Sequence, residues 1–197
     1  MPNLYIIAGC NGAGKTTASY TILPEMLKCK EFVNADEIAK GLSPFQPETV
    51  SFQAGRIMLE RITELINHKV DFGFETTLTT LSYQETIKIA KKKGYNVTLL
   101  YFWLNDVNLA IERVKIRVKE GGHSIPEDVI KRRYKKGIFN LVNKFVDLCD
   151  YWLIIDNSSR PFSFIAEGNR KVEIMVYNKA TWNTIKNKAN GKSNDKK

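Results

Sequence analysis

Residues Leu4–Thr17 read Leu-Tyr-Ile-Ile-Ala-Gly-Cys-Asn-Gly-Ala-Gly-Lys-Thr-Thr. Leu4–Ala8 is a short apolar run, and such a run bounded by a turn signal fits a buried strand. The residues after it, Gly9-x4-Gly14-Lys15-Thr16, complete the phosphate-binding loop pattern. Glycines in such a loop let successive N–H groups turn toward one point, and the helix that follows adds positive potential there. Lys15 is the type and position that reaches β- and γ-phosphates, and the Thr16 hydroxyl suits Mg²⁺. Contacts to ATP or GTP are expected from Gly9, Asn11, Gly12, Ala13, Gly14, Lys15, Thr16 and Thr17. Cys10 reads as a small filler; a thiol activated by nearby amides is the alternative.

Working outward, strands and helices alternate. Strands are expected at Phe32–Asn34, Val70–Phe74, Val97–Leu104 and Tyr151–Ile155. Helices are expected from the loop to about Leu27, then at Glu37–Leu42, Pro47–Asn67, Ser82–Lys93 and Val107–Glu120, with a further helix after Ser124. Alternation of this kind predicts an α/β fold with a mainly parallel sheet. Ser124-Ile-Pro-Glu127 has the pattern of a capping box. Ser163–Ala166 and Val172–Val176 read as a C-terminal hairpin, and Trp182–Lys188 as a last short helix. A single domain over 1–188 is expected, with 189–197 (ANGKSNDKK) as a disordered basic tail.

The chain has 197 residues, 30 Lys plus Arg and 21 Asp plus Glu, for a formal charge of +9. No stretch approaches the ~18 apolar residues of a membrane span, no secretory leader is evident, and three unevenly spaced cysteines match neither a disulfide framework nor a zinc site. A cytoplasmic protein is expected. The charge is concentrated. From Lys186 onward there are five lysines and one aspartate, and from Asp106 to Lys136 nine Lys/Arg and five Asp/Glu. The second cluster lies on two predicted helices joined by Gly121-Gly122.

Arg113 and Arg117, four apart, share one face of the first of these helices, and Arg132 and Arg133 lie on the second. Two helices, a glycine hinge and several guanidiniums suit a lid over a triphosphate, where arginines stabilise transition-state charge and exclude water. The alternative is a solvated charged face paired with Glu112, Glu120 and Asp128. On the acceptor side, ligands of an open parallel sheet bind at the carboxyl ends of strands. Asp36 is placed there to take or orient an acceptor proton, or simply to cap the next helix. Glu75 ends the third strand, placed to hold the water shell of Mg²⁺ or to bind an acceptor, with Thr76 and Thr77 as hydroxyl donors. Asp156-Asn157-Ser158 is expected near the nucleobase, with Asn157 among the nucleotide contacts. There is no guanine motif Asn-Lys-x-Asp and no ABC signature, which leaves a small-molecule kinase as the leading reading. A polynucleotide 5′-hydroxyl kinase and a nucleotide-gated binding module without phosphotransfer are the alternatives.

Gly9–Thr17 (GCNGAGKTT), Asn34–Pro44 (NADEIAKGLSP), Ala54–Arg56 (AGR), Phe72–Leu78 (FGFETTL), Glu112–Val118 (ERVKIRV), Gly121–Tyr134 (GGHSIPEDVIKRRY) and Ile154–Ser158 (IIDNS) together resemble the zeta-toxin family of P-loop kinases, in its short single-domain bacterial form. The resemblance spans Leu4 to Val176. It implies a five-stranded parallel core of nucleotide-kinase type with a helical lid and ATP or GTP with Mg²⁺ as cofactors. It also implies a small hydroxylated acceptor such as UDP-N-acetylglucosamine, phosphorylated at the sugar 3′-hydroxyl, and a small helical antitoxin as partner. Lys15 and Thr16 match the family's phosphate and Mg²⁺ residues, Glu75 and Thr77 its acceptor-binding strand end, and Arg113 a lid arginine. Arg56, Thr76, His123 and Arg133 complete the expected acceptor contacts. The family's catalytic aspartate lies in an acidic segment after the second strand. Ser43–Arg56 holds only Glu48 there, so Asp36 stands as the base. The second lid arginine falls near His123, leaving its role to Arg117 or Arg133. With the charge so placed, nucleic acid is the lesser reading of the +9.

Overall fold

The computed structural model describes residues 1–122, 124–170 and 172–191. Seven strands form one sheet in the order β2-β3-β1-β4-β5-β6-β7. They are β1 (Asn3–Gly9), β2 (Glu31–Val33), β3 (Phe72–Thr76), β4 (Asn96–Trp103), β5 (Tyr151–Asp156), β6 (Ser163–Asn169) and β7 (Val172–Val176). The first five are parallel and the last two join antiparallel. The expected five-stranded parallel core is therefore present, and the hairpin extends it. A strand buried on both faces must be apolar throughout. In β1, Leu4, Ile6, Ile7 and Ala8 are fully buried, between β3 and β4.

Helices α1 (Lys15–Thr21), α2 (Ala35–Leu42), α3 (Ser51–His68), α4 (Ser82–Lys92), α5 (Val107–Lys119), α6 (Glu127–Asn140) and α7 (Lys179–Ala189) connect and cover the sheet. The helix after the loop is shorter than the expected run to about Leu27: α1 yields at Ile22 to a π turn that runs to Met26 and includes Pro24. Proline has no N–H to give to the α ladder, which accounts for the change of winding. Pro47 opens a 3₁₀ turn before α3. Ala54, Met58, Ile62, Leu65 and Ile66 then make the buried face of α3.

Two local expectations are corrected. The capping box at Ser124–Glu127 does not form, because Pro126 is the N-cap of α6 and no side chain caps it. Leu81 is the N-cap of α4, and Thr80 Oγ1 accepts from Ser82 N at 3.3 Å. The last helix starts three residues earlier than expected, where Asn178 caps it by accepting from Thr181 N at 3.0 Å. Ala189 is its final residue and is buried, so the packed chain extends past 188. Residues 192–197, the rest of the expected tail, lie outside the described residues.

The order of the strands decides where a ligand fits. The chain leaves β1 for β2 and β3 on one side, then crosses to β4 and β5 on the other. Such a switch opens a crevice at the carboxyl ends of the strands. Gly9, Asn34, Glu75, Leu104 and Asn157 all lie at or just beyond those ends.

Candidate active site

The loop after β1 turns through left-handed backbone at Gly12 (φ 77) and Gly14 (φ 83). Space also demands glycine there. A Cβ on Gly12 would stand 2.7 Å from Ala110 O, and one on Gly14 2.5 Å from Asn157 Nδ2. Asn157 donates that amide to Ala13 O at 2.8 Å, so the strand end of β5 braces the loop.

Lys15 begins α1 and is buried. Its Nζ donates to Cys10 O at 2.9 Å and lies 3.4 Å from Glu75 Oε1, the two side chains being 6% and 10% exposed. Glu75 is also bound from two further directions. Thr16 Oγ1 donates to it at 2.7 Å and Asn34 Nδ2 at 2.9 Å. The start of α1 and the ends of β2 and β3 thus converge on one carboxylate. Asn34 does a second job: its Oδ1 accepts from Asp36 N at 2.8 Å and Glu37 N at 3.4 Å, capping α2. The cap of α2 is therefore Asn34, which leaves the Asp36 carboxylate outside the capping bonds. Sequence reasoning passed over Asn34, although Asn followed by Ala-Asp-Glu is an N-cap pattern with acids in the first turn.

The opposite wall is α5 and α6. Arg113 Nη2 donates to Ser158 O at 3.1 Å, and Arg133 Nη1 donates to Asn11 Oδ1 at 3.2 Å. Burial pulls the Arg133 guanidinium below its usual range, the Asp36 carboxylate opposes this, and Arg132 adds to it. Arg133 and Asp36 are thus close enough to feel each other across the loop. The middle of α6 is firmly seated. Gly137 fits against Thr77 O, which a Cβ there would approach to 2.8 Å. Asn140 Nδ2 donates to Leu78 O at 2.6 Å, and Tyr134 Oη to Leu104 O at 2.6 Å. These contacts set Arg133 beside Asn11.

Other expected residues fall elsewhere. Arg117 lies in the last turn of α5, its aliphatic stem beside Gly122. Arg56 is exposed on α3. Thr76 Oγ1 accepts from Leu78 N at 3.0 Å and Thr77 bonds Thr79 at 2.9 Å, so both hydroxyls shape the turn after β3. Thr17 is exposed on α1. His123 lies outside the described residues. Cys10 is filler: burial pushes its thiol up to about 11, against the pull of Lys15 and Arg113.

Residues 1–157 match the zeta toxin family. The chain belongs to that family. Lys15, Thr16, Asn34, Asp36, Glu75, Arg113, Arg133 and Asn157 all fall within the matched residues, whereas β6, β7 and α7 follow them. A Haemophilus influenzae protein described only as uncharacterized is 34% identical over 126 residues, which is 64% of this chain and 88% of that one. Among solved structures, the AvrRxo1-ORF1:AvrRxo1-ORF2 complex with sulphate ions superposes with a TM-score of 0.75 at 16% identity, covering 94% of this chain and 63% of that one. The same pair with ATP gives 0.73. The chain thus spans less than two thirds of that protein. The PezAT chromosomal toxin–antitoxin system of Streptococcus pneumoniae gives 0.66 at 18% identity, covering 97% of this chain and 87% of that one. At these identities the likeness is one of fold, a P-loop kinase fold within the zeta toxin family. Among the described residues no helix is long and apolar enough to cross a membrane.

Proposed function

We propose that the chain is an ATP- or GTP-dependent kinase that transfers the γ-phosphoryl group to a hydroxyl of a small acceptor, in the manner of zeta toxins. One observation carries this reading. Lys15, Thr16, Glu75 and Asn34 form a single bonded cluster at the start of α1 and the ends of β2 and β3, and arginines from α5 and α6 face it across the loop. Kinases need positioning and charge stabilisation more than covalent chemistry, and this arrangement supplies both.

In this reading the loop amides and Lys15 hold the phosphates. Asp36, free of the cap, takes the proton of the acceptor hydroxyl as its oxygen bonds to the γ-phosphorus and the bond to the bridging oxygen breaks. Arg113 and Arg133 stabilise charge spreading over the transferring group, Arg117 on the same helix as Arg113 is a further candidate, and His123 remains one by its place in the sequence. Asn157 sets the loop against the nucleotide. Glu75, Thr77 and Arg56 remain acceptor-side candidates. The Thr16 hydroxyl and the Glu75 carboxylate make a hard, oxygen-only donor pair that fits Mg²⁺. Held there, the ion would neutralise negative charge on the phosphates. A nucleotide sugar of the UDP-N-acetylglucosamine kind is the first acceptor to try, and a helical antitoxin is the protein partner that family membership supports.

The test is incubation with γ-labelled ATP, Mg²⁺ and either UDP-N-acetylglucosamine or a bacterial metabolite extract, followed by mass spectrometry of the product. Labelled acceptor formed by the native chain and absent with Lys15→Ala supports the reading. Equal labelling by both, or none by either, defeats it.

A further inference from the structure

The cations of α6 point to two different surroundings. Arg133 reaches the phosphate loop. Arg132, Lys135, Lys136 and Phe139 recur three and four residues apart, so they make one stripe, opposite the buried Ile130, Tyr134, Gly137 and Ile138. This stripe borders a shallow groove of about 730 Å³ between α6 and the end of α7, with Lys188 and Asn190 on the other wall. Among the described residues the lining holds four cations and no carboxylate. Nearby lysines outside the groove are paired instead: Lys115 of α5 with Glu127 at 2.7 Å, and Lys131 of α6 with the same carboxylate at 3.9 Å.

Two details make the groove more than a solvated face. Lys188 is held in place, its Nζ 3.3 Å from both Asn105 O and Tyr134 Oη and 5.9 and 5.4 Å from the centres of the Trp103 and Tyr134 rings. Burial lowers its basicity, which Asp106 partly restores, and its side chain remains exposed at the groove. Phe139, meanwhile, leaves 45% of its surface in water in the middle of the cations. Cations spaced about 6 Å along a helix with an aromatic face among them suit a strand of phosphates carrying bases that stack.

We infer that the groove between α6 and α7 is a binding site for single-stranded nucleic acid, separate from the phosphate loop. An acidic peptide would satisfy the charges but would leave Phe139 without a stacking partner, so the nucleic acid is favoured.

The test is fluorescence anisotropy of the full chain with a labelled 20-nucleotide oligouridine at several salt concentrations. Binding should weaken steeply with salt. The exposed double variant Lys135→Glu/Lys136→Glu should bind at least tenfold more weakly, with the slope of log K against log salt shallower by about 1.4. Phe139→Ala should bind about tenfold more weakly with the slope unchanged. Lys15→Ala should bind like the native chain, which keeps this result independent of the kinase reading. No binding at low salt, an unchanged affinity in the double variant, or tighter binding of a polyglutamate peptide than of the oligonucleotide overturns the proposal.

Discussion

Lys15 and Arg133 both reach the phosphate loop, one from within it and the other from α6. Lys15 sits in a closed network, since its partner Glu75 is also bound by Thr16 and Asn34 and its second partner is a loop carbonyl. Arg133 has a 3.2 Å bond to Asn11, and Arg113 a 3.1 Å bond to Ser158 O. The cradle is therefore preorganised by mutual bonds, whereas the arginines hold neutral acceptors. A guanidinium gives up a neutral acceptor for a phosphate at a gain, because the fork can pair bidentately with an anion. The difference assigns binding to the cradle and response to developing charge to the helical wall.

Lys15→Ala is the strongest way to break that division. It removes the cation from the network, and transfer should fall to background in the labelled-ATP assay. The fold should persist, because Thr16 and Asn34 still hold Glu75. A thermal melt checks this.

Arg113→Ala sharpens the other side. If the arginines act on the transferring group, kcat should drop by ~10³ while the KM for ATP changes only a few-fold. Arg113→Lys should recover little, since an ammonium lacks the planar fork. A fall in affinity with kcat preserved would move Arg113 to the cradle's side of the comparison.

Sequence showed these two regions unequally. The loop was legible because its demands are on the backbone: glycines at Gly12 and Gly14 and a strand before them leave few alternatives. The alternation of strands and helices was equally legible, since each buried strand is apolar along its length. Asn34 was not, because its importance comes from Glu75, 41 residues away in sequence, and no local pattern carries that bond. The two faces of α6 were also hidden. Gly137 and Asn140 decide which side meets the loop, by fitting against Thr77 O and bonding Leu78 O. A run such as Lys-Arg-Arg-Tyr-Lys-Lys looks uniform until that contact is known. The capping box failed for a simpler reason: the chain enters α6 through Pro126, whose fixed φ suits the turn into the helix and leaves Ser124 outside it.

Asn34 joins the two regions, and its variants should produce a smaller effect than either change above. Asn34→Ser keeps an oxygen to cap α2 and loses the amide that steadies Glu75. A bond to a charged group contributes about 1.5–3 kcal/mol to stability, so Asn34→Ser should lose up to about that much in denaturant unfolding, with kcat/KM falling as Glu75 loses its anchor. Asn34→Ala loses the cap too and should cost roughly 1 kcal/mol more in denaturant unfolding. Full activity in Asn34→Ser would reduce the residue to a cap.

The smallest effect tests how closed the cradle is. Cys10 lends its carbonyl to Lys15, and its own side chain is 3% exposed. Burial pushes the thiol up to about 11, the positive charges of Lys15 and Arg113 only partly opposing it. At pH 8 roughly one thiol in a thousand is then ionised, and the thiolate is the reactive form. Labelling of Cys10 by a thiol reagent, followed by peptide mass spectrometry, should therefore run far slower than labelling of free cysteine. Because the working pH lies below the raised value, each added pH unit should speed the reaction about tenfold up to pH 10. A loop that opened often would instead expose a thiol with the ordinary value near 8.5, and the rate would level off above pH 9. The position of that plateau separates a rigid cradle from a mobile one.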